Sequence, residues 1–425
     1  MTLSGIDEHL KHDRIDNLLL SLLQKDDAEI EEVANLTATD WNALIDRARI
    51  HSVVSLIWLR LRERVERMKL PPEIVDRFVK LHLQDTGRGI IIQDQIENIV
   101  KAAHDAGVPM MLLKGAQLVK LVYNDASLRQ MYDIDLLVRE ESLTGLKEVL
   151  FQLGYSEIFV DRYNPKRAYQ FPFQPSKNGL RLEVHTSLKS TLLPGELALK
   201  EIWERAVTVR FGDAEALAMS PEDLILYICY HSSYHFYLHF GLRSLCDIAS
   251  VIKRFGVDLD WKRLVYCACK WNITRSSYIG LVLVGQWLKA DVPNEVIIGL
   301  EPNDANPQLL QMVNSQIFAR TGRDSLRSEK IPQLVNAKGV WEKSSVILKG
   351  LFPSRVRIVR QYGLKAESGL LYIYYIKHII DVYRRHRHIF RRLIMGDKTV
   401  KDLALLEIER GRQLAEFRQW LISNH

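Results

Sequence analysis

The run YDIDLLV, residues 132–138, limits what this chain can fold into more than any other stretch. Its apolar residues are those of a buried strand, yet it includes Asp133 and Asp135. Successive strand side chains point to opposite faces, so the two carboxylates share one face, while Ile134, Leu136 and Val138 share the other. Two like charges on one face repel, and a divalent cation between them removes that repulsion. The run therefore predicts a core strand that contributes to a metal site.

A third carboxylate is expected on the later strand LRLEVHTSL, residues 180–188. Glu183 stands between two apolar residues of that run, so its side chain and that of His185 share one face. Mg²⁺ is bound by one or two protein carboxylates together with substrate phosphates, and a pair of such ions can clamp both oxygens of a displacement. We therefore predict Mg²⁺, as two ions, on Asp133, Asp135 and Glu183.

The segment LLKGA, residues 112–116, places a glycine where an apolar strand gives way to a helix. Backbone N–H groups and the helix dipole favour phosphate at such a junction. Gly115 and the neighbouring Lys114 are therefore predicted to bind a phosphate group. Arg129 precedes Asp133 in the loop SLRQMY and is predicted either to reach a triphosphate or to pair with the acids.

The order of these motifs resembles the DNA polymerase β-like nucleotidyltransferase superfamily, and more narrowly the bacterial proteins described as uncharacterised nucleotidyltransferases. The resemblance spans about residues 95–255. The residues that carry it are Lys114, Gly115, Tyr123, Arg129, the run Asp133–Val138, Glu183, His185 and His231. Two positions depart from the usual pattern: the turn is Gly115-Ala116 rather than Gly-Gly or Gly-Ser, and the third acid is Glu183 rather than Asp.

The resemblance implies transfer of a nucleoside monophosphate from a nucleoside triphosphate, with ATP favoured, to an acceptor, and release of pyrophosphate. It implies that Asp133, Asp135 and Glu183 are catalytic, that Lys114, Gly115 and Arg129 bind the nucleotide, and that His185 and His231 line the site. On this interpretation, replacing either aspartate by asparagine should abolish transfer and leave stability unchanged or slightly higher, because carboxylate repulsion is relieved.

The implied fold class is α+β, a polymerase β-like α/β core with a mixed sheet and flanking helices. Three-residue and four-residue apolar spacing predicts helices at both ends of the chain. We predict an N-terminal helical region over 1–95, the nucleotidyltransferase core over 96–215 and a C-terminal helical region over 216–425, with a basic helix near 377–395.

Composition is that of an ordinary globular protein: 425 residues, 47% apolar, 26% charged and a net charge of +6. Four irregularly spaced cysteines do not form a disulfide framework or a zinc motif. The N-terminus is polar and no apolar run is long enough for a membrane span. These features predict a cytoplasmic protein.

Two helical segments have a second interpretation. Arg243 and Asp247 lie four residues apart and form either a helix-surface pair or a substrate-orienting pair. The basic helix, with Arg384, Arg385 and Arg387, is either a solvated packing element or a surface that binds RNA, an acidic peptide or an anionic lipid surface. We favour the solvated helix and a small-molecule or peptide acceptor. The alternatives are a toxin-like enzyme that modifies tRNA or protein, and a non-catalytic nucleotide-binding scaffold.

Overall fold

The structure is a computed structural model. It describes residues 14–24, 36–158, 169–176, 179–188, 199–235, 241–305, 307–318, 371–394 and 398–423, with five positions between 352 and 362. The chain forms two compact units, one of residues 1–320 and 417–425 and the other of residues 321–416. The predicted division at residues 95 and 215 stays a prediction.

Four helices precede the sheet. They are α1 (Arg14–Leu23), α2 (Ala38–Ile50), α3 (Val54–Leu61) and α4 (Pro72–Asp105). Helix α2 begins at a capping box, since the Thr37 hydroxyl accepts from the Asp40 N–H and the Asp40 carboxylate accepts from the Thr37 N–H. Helix α4 starts at a proline, whose missing N–H costs nothing in the first turn.

A seven-stranded sheet forms the centre of the first unit, in the order β3-β4-β5-β2-β1-β7-β6. The strands are β1 (Met110–Leu112), β2 (Asp133–Val138), β3 (Tyr155–Glu157), β4 (Gln170–Pro175), β5 (Arg181–His185), β6 (Val207–Phe211) and β7 (Ala214–Ala218). The β1–β7 and β2–β5 pairs are parallel and the other neighbours are antiparallel. This mixed sheet with flanking helices confirms the predicted α+β class.

The two faces of the sheet pack into different hydrophobic clusters, as the alternation in β2 predicts. Ile134, Leu136 and Val138 pack with residues of α4 and of α6 (Leu143–Gln152). Leu137, on the opposite face, belongs to the cluster built from the N-terminal and C-terminal helices. Asp133 and Asp135 lie on the same face of β2 as Leu137, so they face the N-terminal and C-terminal helices.

Helices dominate the remainder of the described chain. They are α5 (Lys114–Leu118) after β1, then α7 (Leu199–Glu204), α8 (Pro221–Tyr230), α9 (Leu242–Phe255), α10 (Trp261–Lys270), α11 (Thr274–Trp287), α12 (Asn294–Leu300), α13 (Pro307–Phe318), α14 (Leu371–Ile394) and α15 (Lys398–Ile422). Ser220 caps α8 by accepting from the Asp223 N–H. Among the residues described, no helix combines the length and the apolar character that a bilayer crossing requires.

Helix α14 contains the predicted basic helix. Its Arg384 side chain is exposed. The side chains of Arg385, Arg387, Arg391 and Arg392 lie outside the described part of the chain, so their predicted role stays a prediction.

Candidate active site

All eight residues selected from the sequence line one cavity of about 420 Å³. They are Lys114, Gly115, Arg129, Asp133, Asp135, Glu183, His185 and His231. The sheet register explains why the acids meet, because Asp135 on β2 lies directly beside Glu183 on the parallel strand β5. Helices α8 and α9 close the cavity from the other side.

Asp135 is at the centre of the site and is 5% exposed. Its Oδ1 lies 3.0 Å from His185 Nε2, and its Oδ2 lies 3.1 Å from Lys114 Nζ. Burial by itself raises the pKa of this carboxyl, but the Lys114 ammonium and the His185 hydrogen bond outweigh burial and hold the pKa far below its usual range. Asp135 is therefore a fixed negative charge.

Lys114 reaches Asp135 from an unusual backbone conformation, with φ at +44°. A left-handed conformation at a residue other than glycine costs energy and recurs at functional sites. The ammonium also lies 5.8 Å from the centroid of the Tyr227 ring. Burial lowers the pKa of Lys114, yet the Asp135 charge outweighs it and the net shift is upward, so the residue stays charged.

Asp133 and Glu183 differ from Asp135 in their electrostatics. The pKa of each carboxyl is raised, first by burial and then by the Asp135 charge. Carboxylate oxygens are the donors that Mg²⁺ prefers, so the three acids fit that ion.

The tightest group of potential metal ligands in the described chain is Asp135, Glu183 and His185, whose ligand atoms lie within 4.8 Å of one another. Asp133 lies two residues before Asp135, at the exposed end of β2. Since His185 Nε2 already bonds Asp135, we assign the imidazole to orienting that carboxylate. Its position two residues after Glu183 was the sequence signal for this role.

Arg129 is engaged by the protein itself. Its Nη2 lies 2.9 Å from Asp247 Oδ2, and its Nε lies 3.3 and 3.4 Å from the two Asp247 oxygens. The Tyr123 hydroxyl donates to Asp247 Oδ1 at 2.9 Å. Arg243 and Asp247 are buried, so the helix-surface interpretation of these two residues is wrong.

A glycine is needed at position 115 because the side chains of Met131 and Arg129 occupy the space that a Cβ would take. A Cβ at this position would stand 2.3 Å from Met131 Sδ and 2.8 Å from Arg129 Nη1. The glycine thus lets the loop before β2 pack closely against α5. This packing role accompanies the phosphate contact predicted for Gly115.

Two aromatic residues of the cavity wall, Tyr132 and Tyr227, were not selected from the sequence. Tyr132 directly precedes Asp133 and is 57% exposed, which makes it a large apolar ring at the cavity. Its place beside the acidic strand was a usable signal. Tyr227 gave no local signal, because it lies in the apolar run of α8.

Comparison with known proteins gave two kinds of result. A search of curated proteins found no match. Two solved structures that match are a crystal structure of ANT(2")-Ia in complex with adenylyl-2"-tobramycin and a solution structure of the antibiotic-resistance factor ANT(2")-Ia. Each is 14% identical to this chain with a TM-score of 0.32, and covers 44% of this chain and 98% or 94% of its own. Values this low carry no conclusion about the present protein.

The family comparison is more informative. The model of the family described as uncharacterised nucleotidyltransferase matches residues 37–289. That match spans more than half of the chain and includes every residue that lines the cavity. It confirms the resemblance that the motifs indicated. The chain belongs to the uncharacterised nucleotidyltransferase family.

Proposed function

We propose that the protein is an enzyme that transfers a nucleoside monophosphate from a nucleoside triphosphate to an acceptor and releases pyrophosphate. The observation that carries the proposal is the alignment of Asp133, Asp135 and Glu183 on one sheet face inside a cavity. The pKa values of Asp133 and Glu183 are raised, and a bound cation would lower them because it stabilises the carboxylate form. The cavity volume is typical of small-ligand sites.

Asp133, Asp135 and Glu183 would hold Mg²⁺, as two ions, and ATP is the favoured donor. Bound Mg²⁺ supplies charge neutralisation at the phosphates. Asp135 stays ionised throughout, since Lys114 and His185 hold its two oxygens. The role of this part of the site is positioning and electrostatic stabilisation.

Glu183 is the proposed general base. Its carboxylate lines the cavity and is half-buried, so the hydroxyl or amine of an acceptor can come within hydrogen-bond distance of it. In the proposed step, Glu183 takes the proton of an acceptor hydroxyl or amine. The acceptor atom then forms a bond to the α-phosphorus, and the bond between that phosphorus and the pyrophosphate oxygen breaks.

Lys114 and Gly115 are proposed to bind the nucleotide at the start of α5, where Lys114 keeps its contact with Asp135. Arg129 is proposed to act indirectly, without contacting the substrate. Its pair with Asp247 fixes the loop that leads into Asp133. We propose a small molecule or a peptide as the acceptor.

The test is pyrophosphate release by the purified protein with ATP, Mg²⁺ and a fractionated cell extract. We expect release that requires Mg²⁺ and an extract fraction, and that stops on addition of EDTA. An Asp133→Asn variant is the control for contaminating enzymes, because it removes a proposed ligand without breaking the Lys114–Asp135 pair. ATP binding without pyrophosphate release in any fraction would favour a non-catalytic scaffold.

A further inference from the structure

We propose that Asp85, in the N-terminal helix α4, is a positioning residue for the proposed metal ligand Asp133. It acts through Gln130, in the loop before β2 (residues 126–132). The inference rests on the proposed function, because positioning Asp133 matters to the chemistry only if Asp133 binds a cation. Asp85 is not among the cavity-lining residues and was not selected from the sequence.

The placement of Asp133 depends on the loop that precedes it. Asp133 is the first residue of β2, at the exposed end of the strand. In the described sheet it pairs with Arg181 of β5, whereas the pairing of β2 with β1 begins only at Leu136. Asp135, by contrast, has both carboxylate oxygens held by side chains of the site. Contacts that fix the loop therefore bear on Asp133 more than on Asp135.

Asp85 uses both of its carboxylate oxygens to tie this loop to the N-terminal helices. Its Oδ1 accepts from the Gln130 side-chain amide at 2.7 Å, and its Oδ2 accepts from the Ser55 hydroxyl of α3 at 2.7 Å. The Ser55 oxygen also lies 3.2 Å from His82 Nδ1, one turn earlier in α4. Hydrogen bonds to a carboxylate are short and strong, and Ser55 is buried, so Gln130 is held firmly against α3 and α4.

The backbone of α4 also approaches the loop closely, one turn after this carboxylate. A Cβ at Gly89 would stand 2.8 Å from the carbonyl carbon of Ala126 and 2.8 Å from the amide nitrogen of Ser127. A glycine is what allows two backbones to come this close. At the other end of the loop, the Tyr132 hydroxyl lies 3.3 Å from the hydroxyl of Ser52, which precedes α3. The N-terminal region thus contacts the loop at its start, its middle and its end.

Gln130 connects these contacts to the cavity through its backbone. Its carbonyl oxygen accepts from Arg129 Nη1 and from Arg243 Nη1, both at 3.1 Å, and both arginines line the cavity. Asp133 follows three positions later in the chain. Contacts outside the ligands themselves orient a metal site, and losing one typically weakens metal binding or activity about 10- to 100-fold. Asp85 would act on the cation site in this way, without touching the cation.

The experiment measures Mn²⁺ binding to the purified protein by electron paramagnetic resonance, and nucleotidyl transfer at limiting and at saturating Mg²⁺. Mn²⁺ is the probe because it takes the same oxygen ligands. Asp85→Ala should weaken Mn²⁺ binding, and transfer at limiting Mg²⁺, by about 10-fold, the lower end of the range for outer contacts. Saturating Mg²⁺ should restore transfer to within about threefold of wild type, because mass action fills a weakened site.

Two further variants separate positioning from a general structural role. Asp85→Asn should keep Mn²⁺ affinity within about threefold of wild type, since its amide still accepts from Gln130 and can donate to the Ser55 oxygen. Gln130→Leu should reproduce the effect of Asp85→Ala. The double variant should bind Mn²⁺ no more weakly than the weaker single variant, because all three remove the same contact. If Asp85→Ala fails to fold, Gln130→Leu carries the test.

Asp94→Ala is the matched control. Asp94 is an exposed carboxylate of the same helix, and it accepts a hydrogen bond from Asn98 within that helix. This variant should bind Mn²⁺ and transfer the nucleotide as the wild-type protein does.

Wild-type Mn²⁺ affinity in Asp85→Ala, an equal loss in Asp94→Ala, or a wild-type protein that binds no Mn²⁺ would overturn the assignment. So would a loss of transfer that persists at saturating Mg²⁺, which would make Asp85 a structural residue only. Weaker Mn²⁺ binding in Asp85→Ala, in a protein that never releases pyrophosphate, would support this inference while the proposed activity fails. Pyrophosphate release with the same Mg²⁺ dependence in Asp85→Ala as in wild type would have the reverse meaning.

Discussion

The cavity has two walls that differ in how their charges are balanced. The sheet wall, from β2 and β5, carries three carboxylates; Lys114 holds Asp135 at 3.1 Å, whereas the pKa values of Asp133 and Glu183 are raised. The helix wall, from α9 and the loop before β2, joins Arg129 to Asp247 and adds Arg243. The sheet wall thus resembles a site prepared for cations, while the helix wall is largely neutralised by its own residues. Changes to the carboxylates of the sheet wall should reduce transfer, and changes to a carboxylate that holds a buried cation, Asp135 or Asp247, should also reduce stability.

The largest effect is expected at Asp135, which is both a proposed metal ligand and the partner of the buried Lys114 ammonium. Asp135→Asn should lower transfer by about 100- to 1000-fold or more, as for loss of a central electrostatic group. It should also lower the free energy of unfolding by about 3–5 kcal/mol, because Lys114 would be left buried without its carboxylate. Urea unfolding and single-turnover transfer measure the two effects.

This expectation differs from the one drawn from the sequence, where relief of repulsion was expected to preserve stability at both aspartates. The matched variant is Asp133→Asn, which should lose transfer but keep or slightly gain stability, because burial and Asp135 already disfavour the Asp133 charge. An Asp135→Asn protein as stable as wild type would show that the Lys114–Asp135 pair does not stabilise the fold.

The second effect concerns the helix wall. Asp247→Asn should cost about 3–5 kcal/mol of unfolding free energy, since it leaves the Arg129 guanidinium buried without its partner. Combining it with Arg129→Gln should cost less than the sum of the two single changes. Additive losses in a double-mutant cycle by urea unfolding would contradict the direct pairing.

A smaller effect on stability is expected at Gly115, where α5 packs against the loop before β2. Gly115→Ala should cost about 1–3 kcal/mol, the usual range for overpacking, because its Cβ would overlap Met131 and Arg129. The control is Gly87→Ala in α4, where a Cβ meets nothing within 4 Å. That variant should gain up to about 1 kcal/mol from helix propensity. Thermal unfolding of both variants measures the contrast, which equal shifts would contradict.

The smallest expected effect is a pH dependence of the free energy of unfolding, caused by Glu183. Its folded-state pKa lies above the ordinary 4.5, so in EDTA the unfolded chain ionises first as the pH rises. The wild-type protein should therefore lose stability relative to Glu183→Gln as the pH rises from 4.5 through the folded-state pKa. Below that range the two proteins should be nearly equal. A stability difference that is constant with pH would contradict the raised pKa.

The two walls also differ in how far the sequence predicted them. Local alternation places Asp133 and Asp135 on one face of β2, and places Glu183 opposite its apolar neighbours on β5. The register that sets Glu183 beside Asp135 is a long-range pairing of the two strands. The capping box at Thr37, like the alternation, is local. The helix wall depends on Asp247 meeting Arg129, 118 positions earlier in the chain. No local pattern specifies such a contact, and the same holds for the left-handed Lys114 that reaches Asp135.

The most direct test of the central claim follows the α-phosphate. Wild-type protein is incubated with Mg²⁺, the active extract fraction and ATP radiolabelled at either the α- or the γ-phosphate. Nucleotidyl transfer predicts that the α-label enters the acceptor, that the γ-label leaves as pyrophosphate, and that Asp133→Asn abolishes the first while remaining folded. Incorporation of the γ-label into the acceptor, or α-label transfer unchanged in Asp133→Asn, would contradict the account.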